Sequence, residues 1–152
     1  MIIIDDFIQD IDLLTEIDND PTFFTGNGQF KWWDSEANTV KKRLIEYIWR
    51  YNSPDKGYDI QGFEYWTGQY GPAKPNKNLG NHYDKDELHF KKTGKIVRPV
   101  VGTVFYPVNV PFKGGLLEIE ADGEIESIKA KYNRLVIFDA GNDLHRVTEV
   151  TS

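Results

Sequence analysis

Cysteine is absent from the 152-residue sequence. That removes disulfide frameworks, thiolate metal sites and cysteine nucleophiles together, and it fits a reducing compartment. Basic charge is also short: 18 Lys and Arg stand against 24 Asp and Glu, a formal net charge of −6. No nucleic-acid partner is expected, because non-specific phosphate binding requires a basic face. The run Lys41, Lys42, Arg43 would splay around a helix and stay solvated. No apolar run approaches the ~20 residues of a membrane span. The opening MIIIDDF meets two aspartates where a secretory leader carries basic charge. A cytoplasmic, soluble protein without a membrane partner is therefore expected. A Gly-x-Ser-x-Gly elbow is missing, and the Gly26–Gly28 pair lacks the strand and helix that a phosphate-binding loop needs, so neither a serine hydrolase nor a nucleotide-binding protein is supported.

What is present describes an ordinary folded chain. Hydrophobic residues at 39% and charged residues at 28% suit one domain with a real core. Asp5 and Asp6 are candidate caps for an amphipathic helix over 7–18, in which Phe7, Ile11 and Leu14 recur at helical spacing. Pro21 to Trp33 reads as loop with one short strand. Ser35 is the candidate cap of a second helix, whose face is Val40, Leu44, Ile48 and Tyr51 and whose stop is Asn52, Ser53 and Pro54. After Gly57 the pattern turns to aromatic and β-branched residues, from Tyr58 to Thr67. Beyond a loop at 71–78, strands are expected at 79–84, 96–107, 115–120, 124–130, 134–139 and 144–150, with turns at Pro111–Gly115, Asp122-Gly123 and Gly141-Asn142. Two helices followed by many short strands predict an α+β chain. Its helical part would cover about 1–55, and a sandwich or jelly-roll core about 56–152.

The chemistry gathers at LGNHYDKDE, residues 79–87. On a strand, positions i and i+2 share a face, so His82 and Asp84 would project together about 6.6 Å apart along the axis. One imidazole and one carboxylate are two thirds of a two-histidine, one-carboxylate iron site. His145, in GNDLHRVTEV, is the candidate third ligand. This predicts a single ferrous ion used for oxygen chemistry. The competing reading makes His82 a surface residue, since Lys85, Asp86 and Glu87 follow it. Asp86 is a second carboxylate candidate with a longer reach, and His89 reads as a surface residue of the same charged loop.

Several stretches together resemble the 2-oxoglutarate- and iron(II)-dependent oxygenases, in their prolyl 4-hydroxylase-like branch. They are IIIDDFI with its helix, EYWTGQY with Tyr65 and Gly68, and NHYD with His82 and Asp84. RPVVGTVFYPVNVPFKGGLLEIE with Gly114 and Gly115 follows, then YNRLVIFDAGNDLHRVTEV with His145. The resemblance implies a double-stranded β-helix and an iron held by His82, Asp84 and His145. It also implies 2-oxoglutarate and O₂ as cosubstrates, and hydroxylation of a peptide, prolyl or other, or of a small molecule. Tyr65 would hydrogen-bond the cosubstrate, and Thr103 would line its pocket.

The sequence departs from that family in two places. The Arg or Lys that anchors the far carboxylate of 2-oxoglutarate is expected about ten residues after the second histidine, near position 155, past Ser152. The expectation is that the native chain continues into that strand; otherwise Arg98 or Lys113 would substitute. Arg146 would point opposite to His145. The 13 residues between Gly68 and His82 also exceed the family's spacer, and the 71–78 loop is either a substrate lid or a tolerated insertion. Two other functions compete: a cupin-type metal enzyme that does not use 2-oxoglutarate, and a non-catalytic jelly-roll binding module. Oligomeric state and substrate have no sequence signal.

Overall fold

The first helix starts at Asp10, not at Asp5 or Asp6. The Asp10 Oδ1 accepts the backbone N–H groups of Asp12 and Leu13 at 3.1 and 3.2 Å, so α1 covers Ile11–Asp18 and buries Leu13 and Ile17. The computed structural model describes residues 1–25, 28–52, 59–71, 73–74 and 76–152. Gly26, the expected stop at Ser53 and Pro54, the change at Gly57 and Tyr58, and Pro72 and Pro75 of the 71–78 loop lie outside the described residues. Two compact units result: Ile8–Gly68, and Met1–Phe7 together with Gln69–Ser152.

The Ile8–Gly68 unit is mainly helical. After α1 comes the single turn α2 (Thr22–Thr25), then α3 (Val40–Asn52). Thr39 rather than Ser35 opens α3, with its Oγ1 accepting Lys42 N–H at 3.2 Å. Asp34 instead bonds Glu36 N–H in the turn before it. Arg43 of α3 pairs with Glu16 of α1 at 2.6 Å, and Tyr47 Oη accepts Gln9 N–H at 3.1 Å, so polar contacts join the two helices. A two-stranded antiparallel ribbon joins β2 (Lys31–Trp32) to β3 (Glu64–Tyr65), far shorter than the Tyr58–Thr67 strand expected. Phe63, just before β3, meets Trp33 edge-on and Trp49 at a tilt, at ring separations of 5.4 and 5.3 Å.

The other unit is built from two antiparallel sheets. One has the order β1–β8–β5, with β1 at Ile2–Ile4, β5 at Gly102–Tyr106 and β8 at Arg134–Phe138. The apolar run at the N-terminus is thus an edge strand, and its aspartates serve other ends. Asp5 pairs with Arg134 at 2.6 Å and Lys131 at 2.9 Å, which holds its carboxyl well below the usual range, while Asp6 turns the chain at φ 51°. The second sheet has the order β4–β9–β6–β7, with β4 at Leu79–His82, β6 at Leu117–Ala121, β7 at Glu124–Ile128 and β9 at Leu144–Val147. Asp122 and Gly123, both at positive φ, make the two-residue hairpin turn that their dipeptide signals.

Strand alternation builds one core from both sheets. Leu117, Ile119 and Ile128 meet Val136, Phe138 and Ala140, with Val104, Tyr106 and Val147 packed around them. Each of the Val, Leu, Ile and Phe side chains there contributes about 1.5–3 kcal/mol when fully buried. The strand expected over 96–107 begins only at Gly102, where a Cβ would lie 2.2 Å from that of Ala140. The Gly114-Gly115 pair has a similar cause: at φ 76°, a Cβ on Gly114 would fall 1.9 Å from the Glu149 carbonyl oxygen. A short helix unforeseen from the sequence, α4 (Glu87–Thr93), follows β4, capped by Asp86 and ended by Gly94 in the left-handed conformation. Among the described residues no helix is long and apolar enough to cross a membrane.

Candidate metal centre

β9 is an inner strand, with β4 on one side and β6 on the other. Its register opposes Leu117 to Val147 and Ile119 to His145, so His145 faces the core and is 5% exposed. Arg146 points the other way, to Glu118 Oε2 at 2.6 Å, as the alternation requires. On the other flank, Leu79 pairs with Val147 and His82 with His145. That is three steps along β4 against two along β9. The extra residue is a bulge, and it returns His82 to the inner face where a regular strand would turn it out. The strand expected to reach Asp84 stops at His82. Asp84 arrives by another route, its N–H donating to Ala140 C=O at 2.8 Å.

The three side chains converge. Asp84 Oδ1 lies 3.4 Å from His82 Nε2 and 3.3 Å from His145 Nε2, and one donor atom from each residue falls within 4.8 Å of the others. The imidazole rings are 4.2 Å apart, and Phe138 meets the His145 ring edge-on at 4.9 Å. His82 Nδ1 lies 2.7 Å from Gly80 C=O, and His145 Nδ1 lies 2.9 Å from Asp143 C=O. A carbonyl only accepts, so each Nδ1 carries a proton and donates it there, which leaves the Nε2 of each ring directed at Asp84. Burial pushes the Asp84 carboxyl up, but hydrogen bonds from His145 and His82 outweigh it and hold it at about 2. The Asp84 hydrogen bond raises His82 against the lowering effect of burial. Nitrogen and oxygen ligands bound at about 2.1 Å would stand roughly 3.0–3.4 Å apart, which the two Asp84–histidine separations match, and the three residues form a group able to hold one small divalent cation.

One turn supports two of the three residues. Ala140 receives Asp84, Asp143 receives His145, and Asn142 Nδ2 bonds both oxygens of Asp139 at 3.0 Å. Arg98 Nη1 donates to Asn142 Oδ1 at 2.7 Å, and Gly141 packs so close to Arg98 and Pro99 that a Cβ would lie 3.1 Å from each.

This fold has a solved counterpart. It is similar to that of a prolyl-4-hydroxylase from Pseudomonas putida, with a TM-score of 0.57 and 18% identity over 98% of this chain and 84% of that one. No family model and no curated protein matches the sequence. At that identity the likeness is one of fold: a mixed α and β chain with antiparallel sheets.

Within the sheet unit, the other residues singled out from the sequence are not among the three that converge. Thr103 pairs with Ile137, on the face of its sheet opposite to Val104 and Phe138, so its side chain leaves the face that packs on His145. Arg98, one of the two basic residues considered as a substitute cosubstrate anchor, is exposed and donates to Asn142 as a brace on the turn. Lys113 is exposed, and its backbone pairs with Thr151 and Ser152. Tyr65 belongs to the helical unit, on β3 opposite Lys31. Asp86 caps α4 through His89 N–H at 2.8 Å, so it does not stand in for Asp84, and His89 sits in that helix rather than a loop. A cleft of about 410 Å³ between residues 78–81 and 146–149 contains none of the three convergent residues. Sequence reasoning missed the carbonyls of Gly80, Ala140 and Asp143, since main-chain acceptors leave no residue signature. The Asn142 brace was visible only as a turn.

Proposed function

We propose that this chain is a non-haem iron(II) oxygenase that couples decarboxylation of 2-oxoglutarate to hydroxylation of a peptide, prolyl or other, or of a small molecule. The observation that carries the proposal is the convergence of His82 Nε2, His145 Nε2 and Asp84 Oδ1 with both Nδ1 positions held by backbone carbonyls. In this reading the antiparallel sheets are a double-stranded β-helix, and His82, Asp84 and His145 hold the iron. Iron(II) bound there, with 2-oxoglutarate and O₂, supplies oxidative decarboxylation to succinate and CO₂ together with oxygen insertion into a C–H bond. The chain's own residues set the conditions. The carbonyls of Gly80 and Asp143 orient the donor nitrogens and make them better donors. Asp84 offsets part of the cation's charge, and Phe138 and Ile119 keep water from the His145 side. Tyr65 takes its cosubstrate role from the resemblance alone. Residence in the cytoplasm belongs to the same proposal.

The full chain, loaded with iron(II) without oxygen and then given 2-oxoglutarate in air, should form succinate; His82→Ala and Asp84→Ala should not. Equal succinate from wild type and both variants ends the proposal. A second reading, a metal enzyme of cupin type without 2-oxoglutarate, is favoured by the engagement of Arg98 with Asn142. Stoichiometric iron with no affinity for 2-oxoglutarate analogues would select it.

A further inference from the structure

The segment that follows Asp84 differs in charge from the rest of the chain. Residues 85–98 hold five Lys and Arg against two acids, within a chain of net charge −6. Both acids are engaged: the Asp86 side chain caps α4, and Glu87 pairs with Lys85 at 3.0 Å. Lys85 also lies over the Phe90 ring at 5.0 Å. Among the described residues, Lys91, Lys92 and Lys95 have no ion pair. The same stretch exposes apolar surface at Leu88, Phe90, Ile96 and Val97, and Val100 just beyond it is exposed as well. On α4, Lys91 and Lys92 lie three and four residues from Leu88, so cation and apolar surface share one face.

This surface adjoins the metal centre. Two residues, Lys85 and the capping Asp86, separate Asp84 from the start of α4. Asp86 N–H to Val97 C=O, at 2.8 Å, closes the segment into one loop, so its apolar and cationic groups stay together.

Resting on the oxygenase reading and narrowing its substrate, we infer that the α4 loop docks a peptide carrying acidic residues beside apolar ones, and so presents it to the His82–Asp84–His145 centre. Charge complementarity selects this occupant: three unmatched lysines flank the exposed apolar side chains, and an acidic peptide matches both. A second copy of this acidic chain would bring net repulsion instead.

A random peptide display library panned on the full, iron-loaded chain tests this directly. The expected result is enrichment of Asp or Glu next to Leu, Phe, Val or Ile. Chosen peptides should bind Lys91→Glu/Lys92→Glu/Lys95→Glu about tenfold more weakly or worse, while iron affinity and melting temperature stay unchanged. The His82→Ala variant should still bind them, so docking is scored whether or not the chain makes succinate. No acidic enrichment, or equal binding by the triple variant, overturns the inference.

Discussion

His82 and His145 face each other across two paired strands, yet different physics holds each of them. His145 stands on an inner strand, beside Ile119 and against Phe138, almost fully buried. Its position follows from the core. His82 stands on the edge strand, half-buried, just past a bulge, and is placed by the Gly80 carbonyl and Asp84. The difference teaches that one half of the site is inherited from the fold and the other is built locally. Stability and metal binding should therefore separate on one side of the site and not on the other.

The strongest test attacks the inherited half. Ile119→Ala empties a fully buried position next to His145, and should cost about 2–5 kcal/mol in denaturant unfolding. Next come the ligands themselves. His82→Ala and His145→Ala should each weaken metal binding by at least about a hundredfold in titrations of the chelator-stripped chain, more than the loss of a supporting residue. His145→Ala should also lower stability, by about 1–3 kcal/mol and by clearly more than His82→Ala, because it leaves a cavity in the core. Equal stability losses would break the comparison. Asn142→Ala removes the brace shared by Asp139 and Arg98, and should weaken metal binding about tenfold with a smaller change in melting temperature. A loss of stability without loss of affinity would show that the turn supports only the fold.

The pH profile of the metal-free chain sharpens the same contrast. Asp84 is lowered to about 2, so its contribution to stability is present above the unfolded value of about 3.9 and fades as pH falls toward 2. His82 is raised, so its contribution is present below about 6.5 and is lost as pH rises through the higher folded value. Melting temperature measured with chelator should thus show the cluster's support between about pH 4 and 6.5. His82→Ala should flatten the alkaline side. Arg146→Ala is the small-effect control: its pair with Glu118 faces outward, so stability should change by under about 1 kcal/mol and metal affinity not at all.

Local chemistry made some of this architecture legible. The Asp122-Gly123 dipeptide marked the β6–β7 hairpin, and the pattern from Arg134 to Phe138 marked a buried strand. The His-x-Asp spacing named two of the three convergent residues, although for a reason only half right, since Asp84 lies beyond the strand. The seven-residue α4 hid from periodicity, because two turns give too few repeats to recognise, although Asp86 and Gly94 carried its capping signals. Helix starts moved to Asp10 and Thr39 because several capping residues compete along the chain and geometry selects among them. Parity places Thr103 on the face opposite to Phe138: one residue of register separates the two faces of a sheet.

From the sequence alone come the charge balance, the helix-then-strand order, and the residue types able to hold a divalent cation, because these depend on composition and on spacings of a few residues. Tertiary structure decided that Ile2–Ile4 joins β8, that a bulge turns His82 inward, and that the carbonyls of Gly80, Ala140 and Asp143 set the three side chains in place. Those outcomes depend on pairings between distant strands and on main-chain groups that every residue shares, so no local pattern encodes them.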